Sequence, residues 1–180
     1  MLKKKWKWRK ILDCRLFNRQ IQVKSFKMEV VKENKDIIQQ GDYVSSSNLH
    51  QLFHHIAAPI QISPFLDFYF EKKSFWYVGV SFGVAVASRI FTKTLMMAIT
   101  EIRKRQKEIR IIVYSDNILL LYQQNAVLQH ASRQIKRYLE IMGWQITEEK
   151  STLAPMQIFK YLGKQQNLLN QTLFMTCEMR

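Results

Sequence analysis

Two hydrophobic periods alternate along the chain. Residues 109–122, IRIIVYSDNILLLY, begin with an apolar, β-branched run from Ile109 to Val113. Tyr114, Ser115, Asp116 and Asn117 interrupt it, and Ile118 to Tyr122 resumes it. The pattern predicts a strand, a tight polar turn and a returning strand. Phe65 to Val80, FLDFYFEKKSFWYVGV, has the same form, with two aromatic strands around a turn at Glu71 to Ser74. Between these hairpins the period becomes helical. Over residues 85–105, Ala87, Phe91, Leu95, Ala98 and Ile102 share one face, and Arg103, Lys104 and Arg105 sit where a helix dipole favours positive charge. A second helix is predicted from Asn125 to about Met142, with Val127, Ile135, Leu139 and Met142 on its apolar side and Gly143 as its stop. DYVSSSNL (Asp42 to Leu49), after a turn at QQGDY, reads as a polar strand; WQITEEKS and IFKYLGK read as short strands or connections. The order predicts a mixed α+β fold with an antiparallel hairpin between two helices.

Composition narrows the partners. With 180 residues, 47% of them hydrophobic, the chain has enough for one domain with a core, or two small subdomains sharing one. Five glycines and three prolines leave no obvious flexible linker. Lys and Arg number 28 against 14 Asp and Glu, a net charge of +14 that favours an anionic partner, most simply nucleic acid. Composition alone leaves an anionic membrane surface open. Cys14 and Cys177 make no disulfide framework and fit a reducing compartment. The basic start MLKKKWKWRK leads into no apolar stretch of signal-peptide length, and the greasiest segment, Phe75 to Ser88, is too short to span a bilayer. The expectation is an intracellular, soluble protein of cytoplasm or nucleus, with no membrane partner.

Several clusters invite chemistry. Asp116 and Asn117 form either an Asx turn or the remnant of a metal site. His50 and His54 have i, i+4 spacing, with His55 beside them, but no Cys or acidic residue at ligand spacing accompanies them; a partly exposed histidine cluster is expected rather than zinc. KKKWKWRK is a solvated tail, a localisation signal or a nucleic-acid contact; Trp6 and Trp8 either stack on bases or pack as core residues, the reading favoured for Trp8. Arg103 to Lys107 reads as a helix end in water, and Met96 and Met97 as core filling.

Five segments in order carry a resemblance: KWRKILDCRLFNRQIQ (Lys7 to Gln22), SFGVAVASRIFTK (Ser81 to Lys93), VYSDNILLL (Val113 to Leu121), MGWQITEEKS (Met142 to Ser151) and FKYLG (Phe159 to Gly163). Together they resemble the fingers and palm of a reverse transcriptase, an RNA-directed DNA polymerase. GDYVSSSNL, FHHI and RIFTK are similar to the reverse transcriptases of DIRS-like, tyrosine-recombinase retrotransposons. The resemblance implies nucleotidyl transfer along an RNA template from a DNA primer. Two Mg²⁺ ions roughly 3.5–4 Å apart would clamp the attacking and leaving oxygens. Hard Mg²⁺ needs carboxylate oxygens. The family takes one Asp from a palm strand and two from a Tyr-x-Asp-Asp hairpin. Here these positions fall on Asn48, Asp116 and Asn117, and a neighbouring acidic position falls on Gln51. Asn offers a carbonyl oxygen without charge, so Asp116 is the one expected metal-binding carboxylate, and the implied catalytic motifs are degenerate.

The other implied roles keep their residue types. Arg9 matches a fingers arginine that grips nucleotide phosphates. Phe53 matches the aromatic gate against a ribose 2′-hydroxyl. Phe82 and Gly83 lie in the segment beneath the templating base, where Ser81 and Ser88 replace the family's usual prolines. Lys150 matches the lysine proposed to protonate pyrophosphate, and Tyr161, Leu162 and Gly163 match the primer grip. The implied division is fingers over residues 1–42 and 60–84, palm over 43–59 and 85–163, and 164–180 as the start of a connection to a thumb absent from this length, as are RNase H, integrase and recombinase segments. Three functions follow: a polymerase by ancestry that has lost activity, a non-catalytic nucleic-acid-binding module with a basic cleft, or a weakly active polymerase using Asp116 with water or another acid such as Glu148.

Overall fold

The structure, a computed structural model, describes residues 12–24, 37–161, 164–170 and 172–175. Arg9, Trp6, Trp8, Leu162, Gly163 and Cys177 lie outside the described residues. In chain order the elements are α1 (Arg15–Gln20), β1 (Tyr43–Asn48), β2 (Asp67–Phe70), β3 (Lys73–Trp76), α2 (Ala87–Arg105), β4 (Arg110–Tyr114), β5 (Asn117–Tyr122), α3 (Asn125–Ile141), β6 (Thr152–Met156), β7 (Ile158–Tyr161), β8 (Lys164–Asn167) and β9 (Thr172–Met175). Short 3₁₀ turns occupy Leu52–His55, Ile60–Phe65 and Glu148–Lys150. The class is α+β, as the alternating periods predict. Contacts divide the chain into two compact units: Met1–Ser25 with Phe53–Phe91, and Phe26–Leu52 with Thr92–Arg180.

The larger unit is built on a four-stranded antiparallel sheet of order β4-β5-β1-β6. β5 is apolar at every interior position because both of its faces are covered. Strand alternation puts Val44, Ile112, Leu119 and Leu121 on one face, where they join Phe159, Tyr161 and Leu168 in one core cluster. The opposite face meets α3. There β1 presents Ser45, whose hydroxyl lies 2.6 Å from that of Ser132 on α3; Ser132 donates in turn to the Leu128 carbonyl at 2.6 Å, so Ser45 is the donor of the pair. The polar look of β1 thus has a packing cause at Ser45, where small hydroxyl side chains let the helix approach and satisfy each other; the buried Ser47 hydroxyl has no hydrogen-bond partner among the described residues.

α2 buries the face its period predicts, with Phe91, Leu95 and Ile102 each at most 1% exposed. Met97 departs from expectation. It is 75% exposed, because it lies on the far side of the helix, about 160° round from Leu95 and about 140° from Ile102. On α3 the buried residues are Leu128, Ala131, Ser132, Ile135 and Leu139, whereas Val127 and Met142 are partly exposed. The apolar face is centred on Leu128, with a serine inside it that simple hydrophobic counting passes over. Gly143 (φ +88) supplies the left-handed residue just beyond the helix end. β7, β8 and β9 form a three-stranded sheet of order β7-β8-β9, which the polar sequence KQQN does not announce.

In the smaller unit β2 and β3 form a two-stranded hairpin whose turn residues Glu71 (φ +47) and Lys72 (φ +61) both have positive φ, as a type I′ turn requires. Among the described residues no helix is long and apolar enough to cross a membrane.

Candidate active site

β4 and β5 meet at a two-residue tip. Tyr114 pairs with Asn117, which leaves Ser115 and Asp116 as the loop. Ser115 lies at φ +54. Asp116 is not in the positive region, so the tip has the φ pattern of a type II′ turn, which favours glycine at its first position. A serine there stores about 1 kcal/mol of backbone strain.

The ladder then assembles the cluster. Asn48, the last residue of β1, is the direct cross-strand partner of Asn117. The next amide, that of Leu49, donates to the Asp116 carbonyl at 2.8 Å. Asn48, Asp116 and Asn117 therefore stand together at one end of the sheet, each half-buried. Alternation puts Asn48, Asn117 and Tyr114 on the face that carries Tyr161, and the Tyr114 and Tyr161 rings meet edge-on at 6.5 Å. Tyr161 is buried and its hydroxyl has no hydrogen-bond partner among the described residues. Burial, with the neighbouring Tyr114, pushes its phenol up to about 12.

The segment carrying Lys150 is tied to the same strand end. Thr147 N–H donates to the Asn48 carbonyl at 2.7 Å, and Asn48 N–H donates to the Ser151 hydroxyl at 2.9 Å. That hydroxyl donates to the Thr147 carbonyl at 2.7 Å, which closes the loop. Both backbone polar groups of Asn48 are thereby satisfied by residues flanking Lys150, whose side chain is exposed. Sequence reasoning gave Ser151 and Thr147 no role; the one signal was a Thr and a Ser bracketing a charged turn. Glu148 is ion-paired with Lys136. Gln51 is exposed, with φ +44.

The donor set does not fit a pair of Mg²⁺ ions. One carboxylate and two neutral amides meet here, and the described residues contain no group of three or more His, Cys, Asp or Glu able to hold a metal ion. The same search leaves no zinc set around His50, His54 and His55; the His54 ring stacks on Tyr77 at 5.6 Å.

Phe53, Phe82 and Gly83 come together in the smaller unit. Phe53 is 7% exposed, edge-on to Phe91 at 6.0 Å and tilted against Phe82 at 5.6 Å, while Phe82 is 81% exposed. Phe82, not Phe53, is the aromatic ring open to solvent at this place. Gly83 sits where backbone crosses backbone. A Cβ on it would lie 2.6 Å from the Leu12 carbonyl oxygen and 3.0 Å from Cys14 Sγ. The Asn18 side chain brackets the crossing: its amide donates to the Gly83 carbonyl at 2.8 Å, and its oxygen accepts from Ala85 N–H at 2.9 Å. Gly83→Ala is expected to cost about 2–3 kcal/mol, since the obstacle is main chain that cannot rotate away. Urea unfolding checks this, and a loss below about 0.5 kcal/mol would show that the crossing is loose.

Comparisons with known proteins bear on the family and the fold. A family model for reverse transcriptase (RNA-dependent DNA polymerase) matches residues 1–165. No curated protein matches the chain. Among solved structures, the foamy viral protease-reverse transcriptase dRH in complex with double-stranded DNA superposes with a TM-score of 0.81 at 19% identity, over 98% of this chain and 30% of that one. The foamy viral protease-reverse transcriptase in complex with double-stranded DNA gives 0.78 at 19%, over 96% and 34%. The same protein with an RNA/DNA hybrid gives 0.75 at 18%, over 93% and 22%. The chain thus spans about a third or less of these proteins, and identities this low speak to fold, which is that of reverse-transcriptase fingers and palm. With the family model covering residues 1–165 of the 180, the chain belongs to the reverse transcriptase (RNA-dependent DNA polymerase) family.

Proposed function

We propose that the chain is a reverse transcriptase domain of retrotransposon origin that engages RNA template and DNA primer and has lost, or nearly lost, polymerase activity. The carrying observation is the direct pairing of Asn48 with Asn117 beside Asp116. The resemblance expects three carboxylates at these positions, and one is present. A single carboxylate with two neutral amides binds divalent ions far more weakly and leaves the charge of a transferring phosphoryl group without its counter-charge. We assign fingers to residues 1–42 and 60–84 and palm to 43–59 and 85–163. The compact units support this division, with 26–42 falling in the larger unit and 53–59 and 85–91 in the smaller. Arg9, Lys150 and the Tyr161, Leu162, Gly163 segment keep residue types suited to phosphate and primer.

The test is primer extension on an RNA template with Mg²⁺ or Mn²⁺. No product above background is expected. Extension that disappears with Asp116→Ala would overturn the reading in favour of a weakly active enzyme.

A second reading, a non-catalytic nucleic-acid-binding module, draws on the +14 charge and on the foamy viral relatives, which were solved with double-stranded DNA and an RNA/DNA hybrid. It expects binding that weakens steeply with salt.

A further inference from the structure

Four exposed aromatic residues of the smaller unit, Tyr69, Phe70, Phe75 and Trp76, lie on one hairpin. β2 and β3 pair Asp67 with Trp76, Phe68 with Phe75, Tyr69 with Ser74 and Phe70 with Lys73. Directly opposed residues share a face, so the two faces differ. On one, which also carries Phe70 and Lys73, Phe68 stacks on Phe75 at 5.6 Å and meets Tyr77 at 5.3 Å, which braces the hairpin, while the outer Phe70 is 58% and Phe75 42% exposed. The other carries Asp67, Tyr69, Ser74 and Trp76, all exposed. Tyr69 is 72% and Trp76 59% exposed. They are diagonal neighbours across the ladder, about 7–8 Å apart by strand geometry, with the small Ser74 beside Trp76's strand position.

We propose that this face of the β2–β3 hairpin is a stacking platform for single-stranded nucleic acid. The proposal deepens the nucleic-acid-binding reading above and rests on it. Large apolar rings on the open face of a two-stranded sheet do not stabilise the fold, since two strands alone bury little. Their chemistry suits bases, whose π-faces stack on Tyr and Trp without regard to sequence. The face carries no aliphatic side chain. Charge agrees. The unit formed by Met1–Ser25 and Phe53–Phe91 has twelve Lys and Arg against three Asp and Glu, a net +9, while the remaining residues have 16 against 11, a net +5. The hairpin itself is balanced, with Asp67 and Glu71 against Lys72 and Lys73. The unit's surplus therefore draws a polyanion in, and stacking rather than ion pairing holds it at the hairpin.

The test is fluorescence anisotropy of labelled oligo-dT and oligo-U with the full chain over a range of salt. Tyr69→Ser with Trp76→Ser is expected to weaken single-strand binding about tenfold or more, from the usual strength of base–aromatic stacking. The slope of log affinity against log salt should stay unchanged, because no phosphate-contacting cation is removed. Tyr69→Phe with Trp76→Phe should bind as wild type. If the serine variant loses its circular dichroism signal, Ser74→Glu decides: a carboxylate beside the rings should give a comparable loss, and unchanged binding there overturns the proposal. Wild-type affinity in a folded serine variant overturns it too. So does self-association that the serine variant abolishes while oligonucleotide affinity stays the same, which assigns the face to a second copy of the chain. A wild-type chain that binds no oligonucleotide removes the underlying reading along with this one, whereas binding insensitive to both rings removes this one alone.

Discussion

Asn48→Asp combined with Asn117→Asp is expected to make a metal-indifferent protein depend on Mg²⁺. The two positions are direct cross-strand partners, and Asp116 is covalently next to one of them. The variant therefore places three carboxylates at one strand end, with Cβ atoms of the opposed pair about 4.5–5.5 Å apart. Like charges at such separation, half-exposed, cost on the order of 2 kcal/mol. Without divalent ions the variant should unfold several degrees below wild type, at about 2–4 °C per kcal/mol for a chain of this size. Mg²⁺ at about 100 times its dissociation constant would return about 2.7 kcal/mol to the variant. Wild type, with one carboxylate, should show no such return. Thermal melts in EDTA and in Mg²⁺ check this, and primer extension run beside them asks whether chemistry returns with the metal. A variant whose melting is as indifferent to Mg²⁺ as wild type would show that these positions do not form a carboxylate site, and the assignment of Asn48 and Asn117 would fall.

Arg110→Ala is expected to be the most damaging single change outside the site. Asp42 is fully buried at the start of β1, and Arg110 opens β4. The guanidinium grips both Asp42 oxygens, one of them at 2.9 Å, and also donates to the Ile37 carbonyl at 2.7 Å. Gln39 N–H adds a third donor to the carboxylate at 2.8 Å. Removing the arginine strands a buried negative charge, at a cost of about 3–5 kcal/mol. Asp42→Asn should cost less, because Arg110 keeps 24% of its side chain in water and can solvate its charge there. The order of the two variants in urea unfolding is the decisive readout. Equal losses would mean that the contact acts through packing rather than through uncompensated charge.

Much of this architecture is legible in the chain. The β4–β5 hairpin, α2, α3 with its glycine stop, and the β2–β3 hairpin follow from hydrophobic period and turn residues, because each buries one stripe or alternates about a two-residue turn. β8 and β9 are not legible: KQQN pairs through its backbone, and backbone pairing leaves no mark on side-chain pattern. Nor is the centre of the α3 face, since a buried Ser132 is paired with a hydroxyl far away in sequence. For the site, the ordered motifs brought Asn48, Asp116 and Asn117 to notice, and the ladder adds that two of them are direct partners. The clip by Thr147 and Ser151 was hidden because, apart from the Ser151 hydroxyl, every group in it is main chain. The burial of Phe53 beneath an exposed Phe82 was hidden because both read simply as aromatic.

The hydroxyl pair between Ser45 and Ser132 has a further consequence. β1 reads Tyr-Val-Ser-Ser-Ser-Asn, and three consecutive serines offer no apolar alternation to say which way the strand faces. A slip of one residue against β5 would turn every side chain of β1 over, sending Asn48 to the helix-covered side and Val44 away from its cluster. Val44 in the core and Ser45 locked to α3 hold the strand in phase. The placement of the Asn48, Asp116 and Asn117 cluster therefore depends in part on a contact between two serines on the helix-covered side of the sheet.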